Sequence, residues 1–334
     1  MGVYILRRLL TLIPTLIFIS FLSFAFVRMI PGDPAVIMLG ERARKEDVEK
    51  YKEQMGLNQP IVVQYARYVG QLLQGNLGNS IVNRVSVTSQ LAYRLPATIE
   101  AIFGALVLGI AIGVSMGIIA AIKRNTPIDT IASLIALTGV SMPVFWLALI
   151  LIYLFGVNLK LLPPGARIDA NINITQVTGF YLIDSLLMGR PDYFLNVVKH
   201  LLLPSFVLSL TIMPQIMRLT RASMLEVLRT DYIRTARAKG LGNRPVLLKH
   251  ALRNAMLPVI TVIGLQIGGL LGGAILIETA FSWTGMGSWF FGAISGRDYP
   301  VIQTAIMLNA FIFVGATLLV DISYALIDPR IRLQ

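Results

Sequence analysis

Residues 101–122, AIFGALVLGIAIGVSMGIIAAI, form a run of 22 residues without Asp, Glu, Lys or Arg. A helix of about 20 apolar residues crosses the roughly 30 Å hydrocarbon layer of a bilayer. Five other runs lack the same four residue types, and they occupy positions 9–27, 131–159, 201–217, 255–277 and 301–320. The pattern predicts an all-α polytopic membrane protein with six transmembrane helices.

The composition favours a membrane protein over a soluble one. Of the 334 residues, 55% are apolar and only 14% are charged, whereas roughly a quarter of the residues in an average soluble domain are charged. The mean hydropathy of +0.72 also excludes an intrinsically disordered chain. The absence of cysteine excludes disulfides and a thiolate nucleophile, and two histidines, His200 and His250, offer little for a zinc site.

The first apolar run has an alternative interpretation as a secretory signal peptide, because Arg7 and Arg8 precede it. The apolar region of a signal peptide stops after about 7–15 residues and leads to a small-residue cleavage site. Run 9–27 is 19 residues long and leads to Pro31-Gly32-Asp33-Pro34. A transmembrane helix is therefore the favoured interpretation.

The distribution of basic residues predicts the orientation of the chain. Segments 1–8, 123–130, 218–254 and 327–334 hold 15 of the 29 Lys and Arg residues in only 61 positions. Positive residues are retained on the cytoplasmic side of a membrane, so we expect both termini and the second and fourth connections to be cytoplasmic. The net charge of +12 is then a topology signal, and without a recognition motif it does not indicate nucleic-acid binding.

The external region, residues 31–100, is predicted to contain two short helices. Stretch 43–56 pairs Glu46 with Lys50 at i,i+4 spacing and ends at Gly56. A second, amphipathic helix follows Pro60. Its polar residues are Gln64, Arg67, Gln71 and Gln74, opposite Ile61, Val62, Tyr65, Val69, Leu72 and Leu73. Its apolar face is predicted to pack on the bundle or lie at the bilayer surface, and the alternative is a docking platform for an external partner.

A second external connection, residues 160–199, contains the apolar patch 178–183. The patch is too short to span a bilayer. It is predicted to form a re-entrant or interfacial turn.

Small residues recur at four-residue spacing in two predicted spans. The rows are Gly109, Gly113 and Gly117 in the second span and Gly264, Gly268 and Gly272 in the fifth. Such rows allow helices to approach closely in a membrane. Close packing is the favoured interpretation, and a widened path for cargo is the alternative.

Proline residues predict bends in two spans. Pro143 lies near the middle of the third span and should kink it, so Ser141, Pro143 and Phe145 are candidate residues of a translocation path. Pro204 and Pro214 predict a kink in the fourth span.

The predicted spans lack the groups that drive ion-coupled transport. Their ionisable residues, Arg28, Glu100, Glu278 and Asp321, lie only at helix borders, whereas ion-coupled secondary transporters carry such groups at mid-membrane depth. The chain also has no Gly-x-x-x-x-Gly-Lys-Ser/Thr loop, so we expect no nucleotide hydrolysis by the chain itself. Uphill transport would need energy from a partner.

The most basic connection, residues 218–254, is predicted to form a helix, a glycine turn and a second helix between the fourth and fifth spans. Leu225, Leu228, Tyr232 and Ala236 are placed on one face of the first helix, and Glu226 with Arg229 and Asp231 with Arg234 form i,i+3 pairs. Gly240 and Gly242 end this helix. Asn243 is predicted to cap the second helix, with Pro245 in its first turn.

Two stretches of this connection carry a family resemblance. The run Asp231-Tyr-Ile-Arg-Thr-Ala-Arg-Ala-Lys-Gly-Leu241, followed by His250-Ala-Leu-Arg-Asn-Ala-Met-Leu-Pro258, resembles the Glu-Ala-Ala loop of ABC importer permeases. More narrowly, it is similar to the dipeptide and oligopeptide permease family, whose relatives also import nickel and glutathione. Further matching motifs cover nearly the whole chain: Ile5-Leu6-Arg7-Arg8, Pro31-Gly32-Asp33-Pro34, Arg94-Leu95-Pro96-Ala97-Thr98, Ser141-Met142-Pro143-Val144-Phe145, Arg297-Asp298-Tyr299-Pro300 and Asp328-Pro329-Arg330-Ile331-Arg332.

The resemblance implies a type I importer permease in a prokaryotic inner membrane. Residues 1–30 would hold the cytoplasmic N-terminus and the first transmembrane helix, and residues 101–334 a five-helix permease core with a coupling loop at 218–254. The implied partners are a homologous second permease subunit, two ATPase subunits that bind ATP and Mg²⁺, an external solute-binding protein and membrane lipid. The implied substrate is a short peptide. Glutathione or nickel import is the alternative, and an ion-coupled secondary transporter or a non-transporting scaffold is a more distant one.

The resemblance also implies which residues contact the ATPase. The Glu-Ala-Ala-x-x-x-Gly pattern maps onto Arg234, Thr235, Ala236 and Gly240, so that only the second alanine and the glycine match the general pattern. Two further departures are Thr284, where relatives usually have proline, and Asn76, where aspartate is usual. The implied coupling residues are Asp231, Arg234, Thr235, Ala236, Arg237, Lys239, Gly240, Leu241, His250, Arg253 and Asn254.

Overall fold

The structure is a computed structural model that describes residues 2–29, 34–40 and 43–327. Two of the matching motifs, Pro31-Gly32-Asp33-Pro34 and Asp328-Pro329-Arg330-Ile331-Arg332, lie partly or wholly outside these residues. The described chain is α-helical, with two π-helical segments and one isolated bridge between Asn79 and Ser86. The predicted all-α class with apolar helices is confirmed.

The α-helices follow one another along the chain, and the longest connection between described helical segments is residues 159–180. They are α1 Gly2–Met29, α2 Pro34–Leu39, α3 Lys45–Met55, α4 Ile61–Leu73, α5 Val87–Ile122, α6 Pro127–Ser141, α7 Val144–Leu151, α8 Tyr181–Leu187, α9 Pro191–Ser209, α10 Met213–Val227, α11 Asp231–Ala238, α12 Asn243–Pro245, α13 Leu252–Ala280, α14 Met286–Ser295 and α15 Tyr299–Ile327. The π-helical segments are Ile152–Asn158 and Val246–Ala251.

Three described helices are long and apolar enough to cross a membrane: Val87–Ile122, Asn243–Ala280 and Tyr299–Leu319. Two bent pairs raise this number to five if each pair is one span, namely Pro127–Gly139 with Val144–Asn158 and Pro191–Ser209 with Met213–Val227. The first predicted run lies in α1. The apolar stretch Leu10–Phe26 of this helix is shorter than the candidate spans named above. The count of six spans therefore stays a prediction.

The second predicted span is longer than its uncharged run. Helix α5 begins at Val87 and continues through Arg94, Pro96 and Glu100. The search for uncharged residues placed the start of the helix too late, because Arg94 and Glu100 have polar partners in the protein and their charges do not interrupt the helix.

The bundle core is built on the contact of α5 with α10, and the glycine row of α5 is at its centre. A Cβ atom added at Gly109 would lie 2.8 Å from Ile212, one at Gly113 2.9 Å from the Met213 carbonyl oxygen, and one at Gly117 2.6 Å from Thr220. Close packing is therefore confirmed for this row. In the row of α13, a Cβ atom added at Gly268 would lie 2.5 Å from Phe313 of α15, whereas one added at Gly272 would meet nothing within 4 Å.

Both predicted bends are present, and they are larger than simple kinks. At Met142 and Pro143 the chain turns by 102° between α6 and α7, and it turns by 59° between α9 and α10. Pro204 lies inside α9, so the bend follows it and falls at residues 210–212, before Pro214 in the first turn of α10.

Helix α4 packs its aromatic edge on α1. The Tyr65 hydroxyl and the Ser20 hydroxyl are 2.7 Å apart, and the Tyr65 ring lies 5.3 Å from that of Phe24. Other apolar residues of α4, Ile61, Val62 and Leu73, are exposed. Packing on the bundle is therefore correct for only part of the predicted apolar face. The predicted turn at 178–183 consists of a bend at Gly179 and the start of α8.

Candidate functional site

The connection between α10 and α13 contains the predicted short helix and glycine turn. Residues 228–230 separate α10 from α11, and Gly240 adopts a positive φ of 79° after α11. The second helix is not a separate element: the helical chain runs for 38 residues, Asn243–Ala280, through the π-helical segment and into α13. The glycine turn is thus joined directly to the helix with the apolar run 255–277.

The predicted cap of this second helix is wrong by one residue. Gly242, with extended dihedral angles, holds the N-cap position, and Asn243 is the first helical residue. Glycine is among the residues that are preferred at the N-cap of a helix. Pro245 does lie in the first turn, where its missing N–H removes no hydrogen bond.

Helix α11 ends in a Schellman motif. The Leu241 amide donates to the Ala236 carbonyl oxygen at 3.3 Å, and the Gly240 amide donates to the Arg237 carbonyl oxygen at 2.9 Å. This pair of bonds requires a left-handed residue between them, which glycine adopts without strain. A Cβ atom at Gly240 would meet nothing within 4 Å, so dihedral freedom alone explains the glycine.

The buried face of α11 differs from the predicted one. Ile233 is fully buried and Ala236 nearly so, and they pack against Met224, Val246 and Ala251. Tyr232, predicted on the same face as Ala236, is 43% exposed. The prediction treated residues 225–236 as one helix, whereas α10 ends at Val227 and the helical phase restarts at Asp231.

Polar contacts tie α11 to the helical segment that follows it. The Asn254 side-chain amide of α13 donates to the Tyr232 hydroxyl at 2.7 Å. Within α11, Arg234 donates to Asp231 at 3.3 Å, as the i,i+3 spacing predicted. His250 is half-buried and Arg253 exposed on the same segment. The predicted coupling residues therefore lie on α11, its terminal turn and the beginning of the helix after that turn.

The outer surface of α11 is basic with apolar positions beside it. Arg234, Arg237 and Lys239 are exposed, and Leu241 is 42% exposed. An open cleft lies at the end of α10 and is lined by Arg124, Ala222, Leu225, Glu226, Arg229 and Thr230. A surface of exposed Arg and apolar side chains is suited to a protein partner with acidic residues.

The three candidate path residues lie together at the break between α6 and α7. Ser141, Pro143 and Phe145 are all exposed, and the Ser141 hydroxyl donates to the Leu137 carbonyl oxygen at 2.9 Å. Phe145 exposes half of its surface. None of the three is enclosed by this chain, so a path along them would need a second surface.

A buried ion pair in the predicted external connection escaped the sequence analysis. Arg167 donates to Glu100 at 2.6 Å, and neither side chain is more than 4% exposed. The Leu182 amide also donates to Glu100 at 2.8 Å, and the Arg167 guanidinium lies 3.7 Å from the centre of the Tyr181 ring. Burial raises the pKa of the Tyr181 phenol. No local signal distinguishes Arg167, because its partners come from distant segments.

A second buried carboxylate joins α13 to α5. Glu278 accepts hydrogen bonds from the Thr98 hydroxyl at 2.5 Å and the Ser288 amide at 3.0 Å. Gly285 packs directly on this carboxylate, because a Cβ atom at Gly285 would collide with the Glu278 side chain. Thr284 is exposed at the tip of the same turn. The turn after α13 is therefore fixed to α5, independently of the side chain at position 284.

Asn76, the other departure from the family pattern, makes a hydrogen bond within its own turn. The Asn76 side-chain oxygen accepts a hydrogen bond from the Gly78 amide at 3.0 Å. An aspartate could accept the same bond, because both side chains place an oxygen at this position. The difference at residue 76 is therefore compatible with the same turn.

Two family descriptions together match nearly the whole chain. Residues 113–333 match "Binding-protein-dependent transport system inner membrane component". Residues 1–101 match "Binding-prot-dependent transport system membrane comp, N-term".

Curated proteins are similar to the chain over its full length. The di/tripeptide transport system permease protein DppB of Pseudomonas aeruginosa is 48% identical, with 99% of both chains covered. The dipeptide transport system permease protein DppB of Escherichia coli K12 is 46% identical, with 98% of both covered. The glutathione transport system permease protein GsiC of Escherichia coli O6:H1 is 40% identical, with 98% of both covered.

Proposed function

Because the chain belongs to the family of binding-protein-dependent transport system inner membrane components, we propose that it is a permease subunit of an ATP-driven ABC importer for short peptides, with dipeptides as the first candidates. The observation that carries the proposal is the direct connection of α11 to α13. An exposed basic helix, ended by a fixed glycine turn, continues into a 38-residue apolar helix. A displacement of α11 is thereby passed to that helix.

In this proposal the ATPase partner binds at α11. The buried side chains of Ile233 and Ala236 hold the helix on the permease, while Arg234, Arg237 and Lys239 are exposed and face the partner. Arg253 and His250 extend the contact onto the next helical segment, and Asn254 keeps that segment attached to α11 through Tyr232. ATP and Mg²⁺ are bound by two ATPase subunits, and this chain holds neither.

The remaining partners follow from the surfaces that this chain leaves open. A homologous second permease subunit supplies the opposite wall of a path at Ser141, Pro143 and Phe145, which are exposed here. An external binding protein delivers the peptide to the side that carries α3, α4 and the turn after α13. The chain crosses the inner membrane six times with both termini in the cytoplasm, in agreement with its distribution of basic residues.

We divide the chain for this function into residues 1–30, with the first span, an external region at 31–100 and a five-helix permease core at 101–334. The coupling loop occupies residues 218–254 of that core. Both matched family regions, 1–101 and 113–333, support a division near residue 100.

Dipeptides are preferred over glutathione as the substrate. Relatives named for di- and tripeptide or dipeptide transport are 44–48% identical, whereas the relative named for glutathione transport is 40% identical. The preference is tested by repeating the uptake assay below with unlabelled glutathione as a competitor, which should not reduce uptake of the labelled dipeptide.

The test begins with purification of the tagged chain from native membranes in mild detergent, followed by mass spectrometry of the subunits that co-purify. The complex is then placed in proteoliposomes, and uptake of a labelled dipeptide is measured with ATP inside and binding protein outside. We expect a second permease, ATPase subunits and ATP-dependent uptake. Recovery of this chain alone, with uptake that follows a proton gradient and not ATP, would instead support a secondary transporter.

A further inference from the structure

The two helix bends lie side by side in the structure. A Cβ atom at Gly139, just before the break between α6 and α7, would lie 3.4 Å from Pro214 and 3.7 Å from the Leu210 carbonyl oxygen, which belong to the bend between α9 and α10. Two neighbouring helices are thus interrupted at the same level. Interrupted helices that share a level form a natural axis for a hinge.

On the side of these bends that leads to α11, residues 113–122 of α5 pack with α6 and α10 into one body, whereas the earlier part of α5 packs on α9. Gly113 and Gly117 of α5 admit the backbone of α10 at close range. Ala120, Ala132, Ala136 and Met217 form a buried cluster between the same three helices. Small residues let the three helices pack at close range, and a closely packed interior resists the sliding of one helix past another.

At the end of α10 that leads to α11, an ion pair with two parallel hydrogen bonds joins α10 to α6. The Arg221 guanidinium of α10 donates to Asp129 of α6 through Nε at 2.6 Å and through Nη2 at 2.7 Å. Asp129 is 8% exposed, and it also accepts from the Asn125 amide at 3.0 Å in the turn between α5 and α6. Such parallel bonds fix orientation as well as distance. The carboxylate therefore joins the α5–α6 turn, α6 and α10 at one point.

We propose that Asp129 and Arg221 are positioning residues for transport, because they make α6 follow α10 when α11 is displaced. The inference rests on the proposed function. Helix α10 leads into α11 through residues 228–230 only. A displacement of α11 then turns α10 and α6 together about the paired bends. The movement reaches Ser141, Pro143 and Phe145, which lie where α6 ends and α7 begins.

The first experiment measures ATP consumption and peptide uptake separately in proteoliposomes that contain the full complex. Asp129→Asn removes the charge and keeps the size of the side chain. We expect assembly and ATP hydrolysis to remain near wild type while uptake falls about tenfold, so that the ATP used per peptide rises by the same factor. Asp129→Glu should recover part of the uptake. Arg221→Lys, which cannot make two parallel bonds, is the second variant if Asp129→Asn does not assemble.

The chain offers a matched control. Arg190 and Asp192 also form an Arg–Asp pair at 2.7 Å, but both lie exposed at the beginning of one helix, α9. Asp192→Asn should leave the ratio of ATP to peptide unchanged. A purely structural role for Asp129 would lower hydrolysis and uptake in proportion. That result, or normal uptake in both Asp129→Asn and Arg221→Lys, would overturn the proposal.

The second experiment measures the hinge directly. The chain has no cysteine, so spin labels can be placed at Ile128→Cys on α6 and Tyr153→Cys beyond α7, both exposed positions. We expect ATP trapping to change the distance between the labels in the otherwise wild-type complex and to change it less in Asp129→Asn. An unchanged distance in a complex that transports peptide would refute the hinge. Absence of ATP-driven uptake in the wild-type complex would refute the proposed function instead.

Discussion

Arg167 and Glu100 form an ion pair at 2.6 Å in which both side chains are almost completely buried. The pair joins the connection after α7 to α5, and Leu182 and Tyr181 of the α8 region complete its surroundings. A buried ion pair gains little over an apolar pair of similar shape, but an isolated buried charge is very unfavourable. The stability of this part of the chain therefore depends on both partners together.

We predict that Arg167→Met destabilises the protein by about 3–5 kcal/mol, because Glu100 is left buried without its cation. The double variant with Glu100→Gln and Arg167→Met should recover most of this loss. The measurement is thermal unfolding of the purified complex, monitored by tryptophan fluorescence. Equal losses in the single and double variants would contradict the assignment of the effect to an unpaired charge.

Gly240 gives the second prediction. Gly240→Pro removes the N–H that donates to Arg237 and imposes a negative φ in place of +79°. We expect the variant to insert into the membrane and to lose peptide uptake. Gly240→Asn is the matched control, because asparagine tolerates left-handed angles and nothing within 4 Å opposes a Cβ atom there. Normal uptake in Gly240→Pro would exclude the turn from coupling.

Ile233 gives the third prediction, which tests whether α11 packs through the face observed in the structure or through the face expected from the sequence periodicity. Ile233→Ala empties a fully buried position among Met224, Val246 and Ala251 and should cost about 2–5 kcal/mol. Tyr232→Ala, at an exposed position, should cost less. Limited proteolysis of the coupling loop reports the local loss, and a larger effect at Tyr232 than at Ile233 would favour the periodic assignment.

Sequence patterns predicted the features that depend on neighbouring residues. The helical class, the bends near Pro143 and Pro214 and the glycine turn after α11 are all set by local backbone chemistry. The errors arose where a local pattern was extended too far. One helical phase was carried across residues 228–230, which interrupt it. The second span was started only after Glu100, although α5 begins at Val87.

Ion pairs between residues that are distant in the sequence could not be predicted from local sequence patterns. Arg167 lies in a loop, 67 positions from Glu100, and Asp129 and Arg221 are 92 positions apart. Nothing in the spacing of these residues links them, because their contact results from how α5, α6 and α10 pack. The coupling surface and the path at Ser141, Pro143 and Phe145 stay predictions about partners that have to be tested in the complex.

The charge of α11 gives the last prediction. Arg237→Glu reverses one of four exposed basic residues, with Arg234, Lys239 and Arg253, on the surface proposed to bind the ATPase. It should weaken association with the ATPase subunits without unfolding α11. Because the contact is exposed, the difference from wild type should shrink as salt rises from about 0.05 to 0.5 M, where the Debye length becomes short. The measurement is co-purification of the ATPase subunits at each salt concentration. Lys160→Glu, an exposed basic residue in the predicted external connection, is the matched control. A loss of association that is equal for the two variants, or that does not change with salt, would rule out a specific electrostatic contact at Arg237.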